Sequence, residues 1–248
     1  RPVKRAVVGV PAYFNDAQRE ATIAAAQNVG IQKVKLLREP EAAALAYGIG
    51  KEQVGLGDED ELVLAFDLGG GTFDVSMLVV GGGVSEIICT AGNAKLGGAD
   101  FDGQIARHLK SILGANGAAI KKFSADAQNK IVQSAEKIRI HLSNSRAADL
   151  LLPLAGDDWL SMDSASDVIV STGNESPDQA SSTYVSCQIT RREMERLCKD
   201  EFQALLRPVR EVAIMAGALL PGDTSPTLVE AALDMEEWDK EDESLAFG

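Results

Sequence analysis

Apolar and polar positions follow two different rhythms along this chain. Near the start, Ala6–Val10 is a short continuous apolar run closed by Pro11, which predicts a buried strand. Asn15-Asp16 opens a helix, and Gln18 stands three positions after Asn15 as the partner in a capping box. That helix stops at Gly30. Val34–Leu37 predicts a second strand, and Glu39-Pro40 starts a helix that reaches Gly48. Strand–helix–strand–helix predicts an α/β layer. Beyond a polar, glycine-containing connector at 50–61, the texture changes. Strands at 62–66, 73–80 and 84–90 are separated by the turns 67–72 and 81–83, which predicts an antiparallel meander. Helices resume with Ala99–Leu113, stopped by Gly114, and with the amphipathic stretch Ser124–Leu142. Strands follow at 150–154, 168–170 and 183–189. Thr190-x-x-Glu193 reads as a capping box for a helix that stacks Met194, Leu197, Cys198, Phe202 and Leu205 into a core stripe. Cys198 within that stripe is expected to be inert. Pro208 interrupts the helix, and the last helical run ends at Pro221-Gly222.

Composition narrows the classes. With 248 residues, 45% hydrophobic and 25% charged, the chain is globular and holds one large domain or two modest ones. Twenty-four basic residues against 37 acidic ones give a net charge of −13, which argues against nucleic acid or an anionic membrane as partner. Residues 230–248 carry eight acids and one lysine and are expected to be a solvated, disordered tail. The three cysteines, Cys89, Cys187 and Cys198, are far apart and form no CxxC pair. No disulfide framework or zinc site is expected, and a reducing compartment follows. No apolar run is long enough to span a membrane, and no secretory signal is visible. The chain begins at Arg1 in the approach to a strand, so a fragment is expected.

The chemistry is concentrated in Asp67-Leu68-Gly69-Gly70-Gly71-Thr72-Phe73-Asp74, between two strands. Three glycines let the backbone turn tightly and approach a ligand. Successive amides in such a turn can point at an anion, and Thr72 adds a hydroxyl donor. Asp67 and Asp74 would repel a phosphate unless a metal stood between them, so the combination implies an Mg²⁺-nucleotide. There is no Walker A loop and no GxGxxG.

Four segments, VPAYFNDAQREAT (10–22), REPEAAALAYG (38–48), FDLGGGTFDVS (66–76) and LGGADFD (96–102), stand in an order that resembles the nucleotide-binding domain of the heat-shock protein 70 (DnaK-type) chaperones. SAEKIRIHLS (134–143) and QITRREMERL (188–197) extend the likeness to about residue 222. The resemblance implies an actin-like ATPase (ribonuclease H-like) α/β fold, with an incomplete first lobe and most of the second. It places 1–56 in the first lobe, 57–96 and 199–229 in the second-lobe core, and 97–198 in an outer subdomain. It further implies binding of ATP/ADP and Mg²⁺. Gly69, Gly70, Gly71 and Thr72 would hold phosphates, while Asp67 and Glu39 would bind the metal through water. Glu39, Asp67, Thr72 and Asp74 would serve hydrolysis. Gly97, Gly98, Glu136, Arg139 and Ser143 would lie beside the nucleotide. Pro11 and Arg19 match positions that couple nucleotide state to a client-binding domain. The implied partners are J-domain co-chaperones, nucleotide-exchange factors and, through a domain absent here, unfolded clients, in the cytoplasm or plastid stroma.

The chain departs from the family pattern in several places. The first phosphate hairpin and its lysine are not in this sequence, nor is the downstream glycine-rich adenosine segment, so hydrolysis by this chain alone is expected to be very slow. Arg139 replaces a lysine, Ile140 replaces an arginine that would stack on the base, and Ala99 stands where glutamate is common. The primary reading is therefore part of an ATP-driven chaperone. The alternative is a non-catalytic, truncated member that acts by contacting co-chaperones.

Overall fold

The computed structural model describes residues 2–47, 61–81, 84–162, 164–170 and 183–218. In chain order these form β1 (Arg5–Val10), α1 (Asp16–Asn28), β2 (Lys33–Arg38), α2 (Glu39–Tyr47), β3 (Glu61–Leu68), β4 (Phe73–Gly81), β5 (Val84–Asn93), α3 (Gly98–Ala115), α4 (Ala125–Asn144), β6 (Ala147–Pro153), α5 (Gly156–Leu160), β7 (Ile169–Val170), β8 (Tyr184–Thr190), α6 (Arg191–Leu197) and α7 (Lys199–Met215). The protein is α/β. The connector at 50–61, the second turn at 81–83, the stop at Pro221-Gly222 and the acidic tail lie wholly or mostly outside the described residues.

Two compact units emerge. Of the described residues, one comprises those within 2–68, 72–94 and 205–218; the other comprises 69–71 and those within 95–204. In the first, β1 and β2 pair in parallel across the α1 crossover, with Arg5 opposite Lys33 and Val10 opposite Arg38. The capping box read from sequence is present: the Asn15 side chain accepts from the Gln18 amide, and Gln18 accepts from the Asn15 amide, both at 3.0 Å. The expected meander is also present, in the order β3-β4-β5. Its central strand β4 carries the buried side chains Phe73, Val75, Met77, Leu78 and Val80. Leu78 and Val80 pack with Ala44 of α2, and Val63, Ala65 and Ile87 complete that cluster. Between Met77 and Leu78 the β4–β5 register shifts and leaves Ile88 as the extra residue of a bulge.

The second unit packs α3 against α4, and α4 against β6 of the antiparallel sheet β7-β6-β8. Its core contains Ile105, Leu109, Leu113, Ile131, Ile138, Leu142, Leu150, Leu152, Trp159 and Ile189. Trp159 is fully buried, and its indole N–H donates to the Pro153 carbonyl at 2.9 Å, so no polar atom of this ring is stranded.

Five local expectations are corrected. The strand at β1 is not buried along its length: only Val10 is, because Val7 on the other face is 64% exposed. The α3 helix runs through Gly114 and stops at Gly117, because the left-handed position that ends it (φ +89°) falls there. Gly30, Gly117 and Gly217 all occupy this position after a helix. Each donates to the carbonyl three residues back, and the next amide reaches five residues back, as in Ala118 to Leu113 at 3.0 Å. Pro208 does not interrupt α7. It is buried inside the helix, which forgoes one amide donor there and continues to Met215. The box at Thr190 is half made: its hydroxyl accepts from the Glu193 amide at 3.1 Å, but the Glu193 carboxylate lies toward Arg196 and His108 instead of returning. Finally, β6 begins at Ala147, earlier than the apolar run suggests, since Ala148 alternates inward with Leu150 and Leu152.

Candidate functional site

In the first unit, three carboxylates come together. Glu39 is the first residue of α2, where the helix dipole favours an acid. Asp67 and Asp74 are register partners at the facing ends of β3 and β4. Partners on antiparallel strands share a sheet face, so this places two like charges opposite each other, a destabilising arrangement when nothing intervenes. Burial raises the affinity of Glu39 for its proton, and Asp67 and Asp74 push it further. Burial, then Asp67, does the same to Asp74. The Tyr13 phenol is raised by burial and by the charges of Asp74 and Glu39. Among the described residues, no cation counters the like charges that raise Glu39 and Asp74. A cleft of about 470 Å³ is lined by Glu39, Asp67 and Asp74 together with Ala12, Tyr47 and Ser76.

Gly92 of β5 makes room for this cluster. A Cβ on Gly92 would overlap the Phe73 carbonyl oxygen and lie 2.8 Å from Asp74 Oδ1. Carboxylate oxygens fit a hard divalent cation such as Mg²⁺, which keeps several of its own waters. Among the described residues, no three His, Cys, Asp or Glu side chains converge closely enough to ligate a metal directly.

In the second unit, the turn Gly69–Gly71 is seated on the start of α3. The Gly98 amide donates to the Gly69 carbonyl at 2.9 Å, and the Ala99 amide donates to the Gly70 carbonyl at 2.8 Å. These are helix N-terminal donors that would otherwise lack partners. The Gly97 amide is taken by the Asp100 carboxylate at 2.9 Å. Gly97 is buried, and a Cβ there would overlap the Gly71 amide nitrogen and the Gly70 carbonyl carbon. By contrast, a Cβ on Gly70 or Gly71 would meet nothing within 4 Å. Thr72, which follows, is exposed.

Glu136, Arg139, Ile140 and Ser143 lie three, four and seven residues apart along one side of α4. Glu136, Ile140 and Ser143 are exposed, and the Ser143 hydroxyl donates to the Arg139 carbonyl at 3.2 Å. The Arg139 guanidinium is not free: Nε and Nη2 donate to the two carboxylate oxygens of Asp102, at 2.6 and 3.1 Å. Pro11 is half-buried just after β1, where its carbonyl accepts from the Phe14 amide. Arg19 lies on α1, and its Nε is shielded from solvent with no hydrogen-bond partner among the described residues.

Sequence reasoning did not single out Tyr13, Gly92 or Asp102. Asp102 stood inside the quoted LGGADFD segment, but nothing in the sequence pairs it with a residue 37 positions away. Gly92 stands opposite Asp74 only through the strand register, which depends on where the Ile88 bulge falls.

Comparison with known proteins gives a consistent picture. A family-wide profile described as Hsp70 protein matches residues 1–220. The chaperone protein dnaK3 of Synechococcus elongatus is 38% identical over 223 residues, which is 90% of this chain and 26% of that protein. The chaperone protein DnaK of Prochlorococcus marinus is 44% identical over 151 residues, 61% of this chain and 23% of that protein. The chaperone protein dnaK of Thalassiosira pseudonana is 36% identical over 209 residues, 84% of this chain and 30% of that protein. The chain thus spans less than a third of the length of the curated relatives it matches.

Proposed function

This chain belongs to the Hsp70 family, and we propose that it forms part of the nucleotide-binding ATPase region of a DnaK-type chaperone. The observation that carries the reading is the Asp67–Asp74 stretch. Two carboxylates stand in register at strand ends, joined by a turn with an open approach at Gly70 and Gly71. An actin-like fold accommodates this arrangement. Residues 1–56 would then belong to the first lobe, 57–96 and 199–229 to the core of the second, and 97–198 to its outer subdomain.

In this reading Gly69–Gly71 supply backbone donors to the phosphates of ATP or ADP, and Thr72 supplies its hydroxyl. Asp67 and Glu39 hold waters of Mg²⁺, and Asp74 supports them. When bound, the ion neutralises charge on the phosphate oxygens. The remaining work is positioning: Glu39 orients a water, and the glycine turn fixes the phosphates. Glu136 and Ser143, exposed on α4, face the adenosine; Ile140 offers that base no cation. Pro11 and Arg19 relay nucleotide state. The partners are J-domain co-chaperones, exchange factors and unfolded clients. The relatives are named as chaperones, so the alternative of a non-catalytic interaction module is not favoured. Among the described residues, no helix is long and apolar enough to cross a membrane.

The test is Gly70→Leu in the full chain. The space around Gly70 is open, so the variant should melt as the parent does. Its Mg-ADP affinity should fall by at least ~10²-fold, comparable to the loss of a preorganised donor. Unchanged affinity, or a parent that binds no Mg-nucleotide, would overturn the reading.

A further inference from the structure

We infer that Asp102 and Arg139 are positioning residues: their ion pair braces the first turn of α3, and that turn in turn aims the Gly70 and Gly71 amides at the ligand. The inference rests on reading Gly69–Gly71 as the phosphate-binding turn.

The argument starts at the peptide planes. Every described peptide bond is trans, so a carbonyl and the amide that follows it point in opposite directions. The Gly69 and Gly70 carbonyls both point into α3, at the Gly98 and Ala99 amides. The Gly70 and Gly71 N–H groups must therefore both point away from α3, side by side. Two adjacent donors with one orientation make an anion-binding concavity. Its geometry is fixed by where the first turn of α3 stands.

The ion pair fixes that turn. Asp102 is the fifth residue of α3, and its carboxylate is only 10% exposed. A carboxylate so buried requires a partner, and the arginine fork satisfies both oxygens at once. Arg139 comes from α4, whose inward side is locked into the core by Ile131, Ala135, Ile138 and Leu142. The guanidinium also lies against Gly98: a Cβ on that residue would be 3.2 Å from Arg139 Nη2. The same glycine donates to Gly69. Arginine thus ties the rigid α4 to the turn-bearing end of α3 through a bidentate contact that a lysine, as a point charge, cannot reproduce. The role differs from the nucleotide contact expected from sequence, since two of the guanidinium nitrogens are committed to Asp102.

The experiment uses the full chain with Arg139→Met, Arg139→Lys, Asp102→Asn and the Arg139→Met/Asp102→Asn double variant, each checked for native circular dichroism. Without nucleotide, amide exchange at Gly98 and Ala99 reads the docking of the turn. It should quicken about tenfold in Arg139→Met and Asp102→Asn, with Arg139→Lys intermediate. With ligand, ADP affinity should drop about tenfold in both single variants, while adenosine affinity stays within about twofold. The double variant should be no worse than the worse single one, because both remove the same brace. Parental exchange rates in Arg139→Met and Asp102→Asn would overturn the brace. Equal losses for ADP and adenosine would make Arg139 a direct ligand and overturn it as well. If Asp102→Asn does not fold, the Arg139→Met and Arg139→Lys pair decides alone. A parent that binds neither compound would sink the functional reading only, since the exchange rates still decide whether the ion pair fixes the turn.

Discussion

Asp74 sits where a carboxylate is poorly tolerated. It is half-buried, faces Asp67 across the strand pair, and fits only because Gly92 has no side chain. Replacing it with asparagine removes one of two opposed like charges and keeps the shape. Without ligand, Asp74→Asn should be more stable than the parent by about 0.5 kcal/mol, while losing the extra stability that Mg-ADP confers. Denaturant unfolding with and without Mg-ADP checks both signs, and a variant less stable than the parent in the absence of ligand would contradict the repulsion argument. Cys187 and Cys198 make a different case, of thiols that burial holds protonated. Burial first, then Glu193, pushes the Cys187 thiol up to about 11. Burial first, then Glu201 and Asp102, pushes Cys198 up to about 12. A raised thiol pKa leaves little thiolate below it, so at pH 8 iodoacetamide should modify both far more slowly in the native chain than in the unfolded one. The gap should narrow as the pH rises toward 11. Equal rates at pH 8 would contradict that burial. The burial of Cys198 was readable from its place in an apolar helical stripe. The pairing of Asp102 with Arg139 was not, because it is written in the packing of α3 against α4 rather than in any local spacing.

At the scale of elements, local rules explain the successes and one local rule explains the main miss. The reciprocal box at Asn15 and Gln18 and the three-strand meander involve residues close in sequence, and the pattern gave them directly. Helix ends are harder, because any glycine near the end of an apolar period looks like a stop. Gly114 and Gly117 in α3 separate the two cases. Gly114 is inside the helix with open space around its absent side chain, while Gly117 carries φ +89°. Gly114→Ala should therefore stabilise by up to ~1 kcal/mol. Gly117→Ala should destabilise by ~1–2 kcal/mol, because an L residue must enter the left-handed region. Opposite signs three residues apart, measured by thermal unfolding, are the expected result. The same sign for both would mean that the helix ends elsewhere. The failed expectation at Pro208 has a related cause. One lost hydrogen bond is affordable when the ring is buried beside Leu205, Val212 and Ala213, which sequence alone does not reveal.

At the scale of the whole molecule, the long motifs made the family and the α/β class legible. The two units are divided at a glycine turn and within a helix rather than at a linker. The units also differ in what holds them. The 95–204 unit encloses a contiguous core in which Ile105, Leu109, Ile131, Ile138, Leu152 and Ile189 are wholly inaccessible. In the other unit, α1 has no buried residue, and β1–β2 is a two-stranded sheet with Val7 64% exposed. A two-stranded sheet is marginal without further packing, and an element with few buried apolar contacts opens at low free energy. Hydrogen exchange by mass spectrometry should therefore resolve two classes of amide in the full chain. Peptides from α1 and β1 should exchange through local opening, at rates little affected by mutations in the 95–204 core. Peptides from α3, α4 and β6 should exchange slowest, and a cavity such as Ile138→Ala should accelerate that group together. Such a truncation typically costs 2–5 kcal/mol, more than enough to move the rates by an order of magnitude. If α1 were protected as strongly as α4, packing on its exposed side would have to exist in solution, and the assignment of the molecule's stability to the 95–204 core would fail.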